Sequence, residues 1–215
     1  MARSYAVIYT IPGENGSLSD DKLRINFEWY SWPKEGEHIH EILTDSDGHC
    51  HADTVPKGMM LLSVWLAQLE RGKKEMHPLL YEIMEKIREP FVSVCSSQLA
   101  AQGAFFDNRL FLIGDALGKS QPHAGIGTAM AVTAAKSLAD LVGKRDKSKP
   151  EKWAHDVAMW ERDTLEVLEL ERLRSIALAS GYLHGWWRST VDSAKYHIYA
   201  FKHKASRVCR SLSAF

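Results

Sequence analysis

Apolar and polar positions alternate in two early segments of the chain. Tyr5-Ala6-Val7-Ile8-Tyr9-Thr10-Ile11 is β-branched and aromatic, and it stops at Pro12-Gly13. After a turn-rich stretch at residues 13–17, Leu23, Ile25, Phe27 and Trp29 fall on one face, with Arg24, Asn26, Glu28 and Tyr30 on the other. A period of two marks strands with one face on a core, and the short connection predicts an antiparallel pair. Residues 34–58 are polar, histidine-rich and irregular, with a turn at 44–48. Helical spacing begins near Met59, where Leu62, Trp65, Leu66 and Leu69 recur at three- and four-residue steps. A second helix is predicted over 78–88, with Leu80, Ile83, Met84 and Ile87 on one stripe and Pro78 in the tolerant first turn. Residues 91–95 return to strand character.

Further along, Arg109-Leu110-Phe111-Leu112-Ile113 is a short, nearly continuous apolar run and predicts a strand buried on both faces. A glycine- and proline-rich loop then leads into an alanine-heavy helix over 126–142. Residues 144–150 read as a solvated linker. A long helix over 151–179 follows, with Trp153, Val157, Trp160 and Val167 sharing a face. From Tyr182 onward the chain is aromatic and basic without a clear period. This order of elements predicts an α+β fold, a mostly antiparallel sheet with helices packed on it. Residues 1–143 are expected to form the main domain and 144–215 a helical extension packed on it.

Composition narrows the classes. With 215 residues, 45% hydrophobic, the chain has enough apolar material for a core. Lys plus Arg and Asp plus Glu each number 27, so the basic footprint of a nucleic-acid binder is lacking and no such partner is expected. No apolar run reaches the roughly 18 residues of a bilayer span, and no membrane partner is expected either. Cys50, Cys95 and Cys209 are far apart and odd in number, which reads as free thiols in a reducing compartment. The expectation is a cytoplasmic protein.

Candidate chemistry sits after the strand at 109–113. Gly114-Asp115 closes the strand, and Pro122, Gly125 and Gly127 shape the loop before the small-residue helix. Glycines there remove side-chain bulk where free N–H groups and the positive end of a helix dipole point outward. Asp115 is placed to accept hydrogen bonds from ligand hydroxyls; a plain strand-to-helix turn with Asp115 capping it is an equally good reading. His123 lies in the same loop, with Gln121 and Lys119 beside it. Tyr30, Tyr9, Phe27 and Trp29 are the aromatic candidates for lining a cavity. The pairs His38/His40 and His49/His51 lack an accepted ligand spacing, so no metal is expected.

An apolar strand, Gly114-Asp115-Ala116, a loop with Pro122-His123-Ala124-Gly125-Ile126-Gly127-Thr128, and an alanine-rich helix resemble the second flavin-contacting motif of class A FAD-dependent monooxygenases. The dihydroxypyridine-hydroxylase branch is the most similar. Segments at 11–16, 26–30, 43–48, 55–58 and 89–92 resemble that branch's substrate domain in order, so the likeness runs from Tyr5 to Leu141. It implies the substrate-binding half of an aromatic hydroxylase flavoprotein. Asp115 would match the aspartate on the flavin ribityl chain, and the backbone after Pro122, through Gly125 and Gly127, would lie against the isoalloxazine ring. The family also begins with a βαβ unit carrying G-x-G-x-x-G. Here Gly125-Ile126-Gly127-Thr128-Ala129-Met130 puts Met130 at the third glycine, and no other cluster supplies the motif.

The resulting expectation is a truncated monooxygenase-like chain repurposed as a cofactor-independent cyclase or isomerase. It would act on a small apolar natural-product intermediate of fungal secondary metabolism, a norbornene-forming Diels–Alder cyclase being the concrete case. On that reading His123 and Tyr30 polarise the substrate, Tyr9, Phe27, Trp29 and Gln121 line the site, and Gly114, Asp115, Pro122, Gly125 and Gly127 form a relic cofactor loop. No cofactor is then needed. The alternatives are a fragment or split subunit of an FAD-dependent aromatic hydroxylase, which binds FAD, and a non-catalytic small-ligand binder. Apolar sheet surface also makes a homodimer an expectation.

Overall fold

The computed structural model describes residues 4–32 and 39–212, with side chains to Ser206. His38, and the side chains of Arg207, Cys209 and Arg210, lie outside the described residues. The chain divides into two compact units, Met1–Val94 and Cys95–Phe215.

In the first unit, β1 (Ser4–Ile11) and β2 (Arg24–Ser31) pair antiparallel along their full length, as the alternation predicts. Gly13 permits the connection: a Cβ there would sit 2.1 Å from the carbonyl oxygen of Lys22. Arg24 ties the loop down by donating to the carbonyl oxygen of Pro12 at 3.3 Å. A single turn, α1 (Ile39–Ile42), precedes β3 (Thr54–Val55), α2 (Leu62–Glu75) and α3 (Pro78–Glu85). His77 caps α3 by accepting from the Leu79 N–H, with Pro78 in the first turn where no donor is lost. β4 (Val92–Ser93) pairs with β3. Val55, Met84 and Leu43 are the buried apolar centre of this unit. Helices α2 and α3 approach closely there, a Cβ on Gly72 falling 2.8 Å from the Met84 sulfur.

In the second unit, β5 (Gln98–Leu99) pairs with β8 (Gly118–Lys119), and β6 (Ala104–Phe105) with β7 (Leu110–Phe111). Three helices follow: α4 (Gly127–Gly143), α5 (Pro150–Leu183) and α6 (Trp186–Leu212). Leu117, Trp153, Val157, Trp160, Leu168 and Ala179 form the core. Phe111 presents its ring edge-on to Trp153 and Trp160, at 6.2 and 5.5 Å. The Trp160 indole N–H donates to Ser137 on α4 at 3.0 Å, which satisfies a buried donor and fixes α4 on α5.

The α+β class holds, and all the strand pairs among the described residues are two-stranded and antiparallel. Two expectations need correction. The run at 109–113 is not a strand buried on both faces: β7 is two residues long, and Leu110 and Ile113 are exposed while Phe111 turns inward. Consecutive left-handed residues at Phe106, Asp107 and Asn108 fold this segment into a tight hairpin instead. The segment after Tyr182 is one long helix, α6, packed on α5. The expected boundary near residue 143 falls between α4 and α5, which pack together within one unit.

Candidate functional site

The glycine loop of the second unit is built onto two helices. A helical turn at Gly114–Ala116 packs on α4, and a second at Pro122–Ala124 packs on α5. Gly114 is left-handed at φ +58°, and a Cβ there would meet the Ala131 methyl of α4 at 3.3 Å. Only glycine fits such a backbone without strain. Farther along, the Gln121 N–H donates to the Ser175 hydroxyl at 3.1 Å. Ser175 is fully buried on α5, and its hydroxyl donates a hydrogen bond to the Arg172 carbonyl oxygen. The sequence reading missed Ser175 because nothing in its local pattern marks it.

The loop then opens. Gly125 is left-handed at φ +64°, and a Cβ at Gly125 or Gly127 would meet nothing within 4 Å. Helix α4 starts at Gly127 with no side chain capping its first N–H groups. Exposed backbone donors, the positive end of a 17-residue helix and the exposed Asp115 carboxylate thus belong to one loop-and-helix element. Pro122 is exposed, and His123 and Gln121 are half-buried. The Gln121 Oε1 is buried with no hydrogen-bond partner among the described residues. Burial pushes the His123 imidazole below its ordinary range, so it is neutral near pH 7 and offers one donor and one acceptor.

The aromatic candidates lie in the other unit, and the register divides them. Tyr5 opposite Tyr30, Val7 opposite Glu28 and Tyr9 opposite Asn26 share one face of the ribbon. Ile8 opposite Phe27 and Ala6 opposite Trp29 share the reverse face. Tyr9 and Tyr30 therefore come together, and Phe27 and Trp29 come together, with the backbone between the pairs. What joins the first pair is Glu28. Its carboxylate accepts from the Tyr30 hydroxyl, from Asn26 Nδ2 at 2.7 Å and from the Tyr9 hydroxyl at 3.4 Å. The Tyr5 ring stacks on Tyr30 with centroids 4.9 Å apart. Glu28 was not a sequence candidate; its signal is that it shares parity with Asn26 and Tyr30, and it becomes legible only once the register brings Tyr9 across. On the reverse face the Arg71 guanidinium lies over Trp29 at 4.7 Å and bonds to Glu75 and Ser31, so Trp29 is a packing element against α2.

The histidine-rich segment is a folded loop organised by Asp45. This buried carboxylate accepts from the N–H groups of Asp47 and His49 and from His51 Nε2 at 2.8 Å. The His51 bond, opposed by burial, holds the Asp45 carboxyl below its ordinary range. Among the described residues, no group of three or more His, Cys, Asp or Glu side chains is placed to hold a metal ion. A concavity of about 380 Å³ lies along α5 and α6, lined by Leu99, Glu161, Leu165, Glu166, Glu169 and Tyr199 among others. It is open and acidic, and none of the expected site residues lines it. Its Glu161 Oε1 instead accepts the N–H groups of Gly103 and Ala104, at 2.5 and 2.9 Å, and so fastens the β6–β7 hairpin to α5.

Comparison with known proteins agrees with this architecture. The FAD binding domain-like family matches residues 1–97, which takes in the whole of the first unit. Over 140 residues the chain is 29% identical to 2,6-dihydroxypyridine 3-monooxygenase of Paenarthrobacter nicotinovorans, covering 65% of this chain and 34% of that enzyme. The structure of 2,6-dihydroxypyridine-3-hydroxylase from Arthrobacter nicotinovorans matches with a TM-score of 0.74 at 24% identity, over 86% of this chain and 44% of that one. The chain thus spans about a third of the length of the curated relative it matches. Sequence and fold likeness together support an FAD monooxygenase-like domain, with the helices and antiparallel strands of the aromatic hydroxylase fold.

Proposed function

We propose that this chain supplies the flavin-facing loop and the substrate ribbon of an FAD-dependent aromatic hydroxylase. The observation that carries the proposal is the open backbone at Gly125 and Gly127, in front of an uncapped helix start. A flavin needs a flat, side-chain-free backbone to lie against and donors for its polar edge, and these residues fit it. Asp115 would accept from ribityl hydroxyls, and the N–H groups at the start of α4 would face the negatively polarised edge of the ring. When bound, the flavin supplies the dioxygen chemistry that places a hydroxyl on an electron-rich ring. The chain's own part is to orient. Neutral His123 can hold a hydrogen bond in either direction, and the Tyr9–Glu28–Tyr30 cluster suits a small ring bearing hydroxyl or N–H groups. That charged cluster fits a hydroxylated aromatic substrate better than an apolar terpenoid or polyketide diene.

The cofactor-independent cyclase reading is set aside accordingly: no geometric feature favours it, and the likeness to flavin monooxygenases favours the hydroxylase. The proposal is tested by titrating the 215-residue chain with FAD and with riboflavin, following flavin fluorescence and induced circular dichroism. A flavin held through this loop, without contacts to the adenine half, is expected to bind at about 1 mM or tighter. Gly127→Leu is expected to abolish that binding with an unchanged urea midpoint, because the added side chain points into open space. Absence of any flavin signal from the folded wild-type chain, or undiminished binding by Gly127→Leu, would overturn the proposal.

A further inference from the structure

Helix α6 carries a second apolar stripe, turned away from the core. Trp187, Val191, Ala194, Ile198, Phe201 and Ala205 recur at steps of four and three, and all are exposed, Trp187 by 67% and Phe201 by 75%. The opposite side of the helix does the packing. Buried Asp192 accepts from Ser180 of α5 at 2.5 Å, and His203 Nδ1 lies 3.3 Å from Glu166 of α5. Helical geometry puts Arg188, Lys195 and Lys202 along one margin of the exposed stripe and His197 and Lys204 along the other; Arg188 and Lys195 also reach Asp192, at 3.9 and 3.4 Å. Asp192 is the helix's sole acidic residue and belongs to the packed side. At the turn into α6 the aromatic surface widens, with Tyr182, Trp186 and Trp187 all exposed.

We propose that this face of α6 lies along an anionic lipid surface. A second copy of the helix would bring basic margins against basic margins in either orientation, which opposes self-pairing through the stripe. A single acidic partner helix would satisfy the margins but leave Tyr182 and Trp186, outside the seam, uncovered. A lipid interface accommodates both features. Trp and Tyr rings settle at headgroup depth, Ile198 and Phe201 enter the acyl boundary, and the lysine and arginine stems reach the phosphates. The stripe from Trp187 to Ala205 is about 27 Å long at the rise of an α-helix, enough to lie flat on a bilayer. No helix among the described residues is long and apolar enough to cross a membrane, and a helix lying in the interface requires none.

The test is sedimentation of the full 215-residue chain with vesicles of phosphatidylcholine alone, or of phosphatidylcholine mixed with phosphatidylserine. Binding is expected only to the mixed vesicles and to weaken as salt is raised. Lys202→Glu with Lys204→Glu, one on each margin, should weaken it at least about fivefold per lysine changed. Phe201→Ser should weaken it at least about tenfold. Both substitutions fall on exposed positions, so unchanged far-ultraviolet circular dichroism is expected and serves as the folding control. Failure to sediment with mixed vesicles would overturn the proposal. So would a concentration-dependent dimer that Phe201→Ser dissolves, or capture of an acidic helical peptide in place of vesicles.

Discussion

Helices α5 and α6 are neighbours of similar length, yet they use their apolar residues in opposite ways. Along α5, Trp153, Val157, Trp160, Leu168 and Ala179 are buried against the hairpin, the glycine loop and the other helices. Along α6, the largest apolar side chains look outward. A strip of buried tryptophans fixes a fold, while the same residue type in the open is available to something outside it. The difference is energetic, and its largest expression is at Trp160. Its ring meets Phe111 edge-on and its N–H donates to Ser137. Trp160→Ala should therefore cost about 3–5 kcal/mol of stability. Phe201→Ala on α6 should fall within about 0.5 kcal/mol of wild type. Urea midpoints of the two variants measure both; near-equal losses would erase the contrast.

Polar groups on α5 also hold structure, at intermediate cost. Glu161 collects the N–H groups of Gly103 and Ala104 on one oxygen. Glu161→Ala leaves both donors without that acceptor and should cost about 1–3 kcal/mol. Glu161→Gln keeps a side-chain oxygen in place and should recover most of the loss. If the two variants lose equal stability, the charge rather than the acceptor geometry holds the hairpin.

The α5 stripe was legible in the sequence because its partners lie on one side: Trp153, Val157 and Trp160 recur at helical steps with polar residues between them. The α6 pattern was not, although its spacing is regular. Tyr196, Tyr199 and Ala200 add apolar character between the exposed stripe and the packed side, so two stripes overlap into an aperiodic-looking run. The β1–β2 ribbon was legible for the complementary reason, a strict period of two. Its polar face was not read as a unit, since Glu28 acquires meaning only from Tyr9 across the register. The glycine loop was recognisable in outline from Gly114, Asp115, Gly125 and Gly127. Which glycines are structural was not: Gly114 is pressed against Ala131, whereas Gly125 and Gly127 face open space, and only tertiary packing distinguishes them.

The smallest expected effect compares the loop seated on α5 with the turn that leads into α6. Burial lowers the affinity of both His123 and His184 for a proton, and for His184 the nearby Arg188 adds to the effect. Such a histidine takes up a proton more readily in the unfolded chain than in the folded one. Its contribution to stability is therefore complete above about pH 6.5, and it is lost as the pH falls from there toward the lowered folded-state value. His123→Gln should flatten the acid side of the stability profile below pH 6.5 while leaving the profile above it unchanged. His184→Gln should act in the same direction. Urea midpoints taken at half-unit steps from pH 7.5 to about pH 5 resolve the two variants. A steeper acid limb in His123→Gln would mean that this histidine is stabilised by its proton, and its use as a neutral hydrogen-bonding group beside a flavin would fail with it.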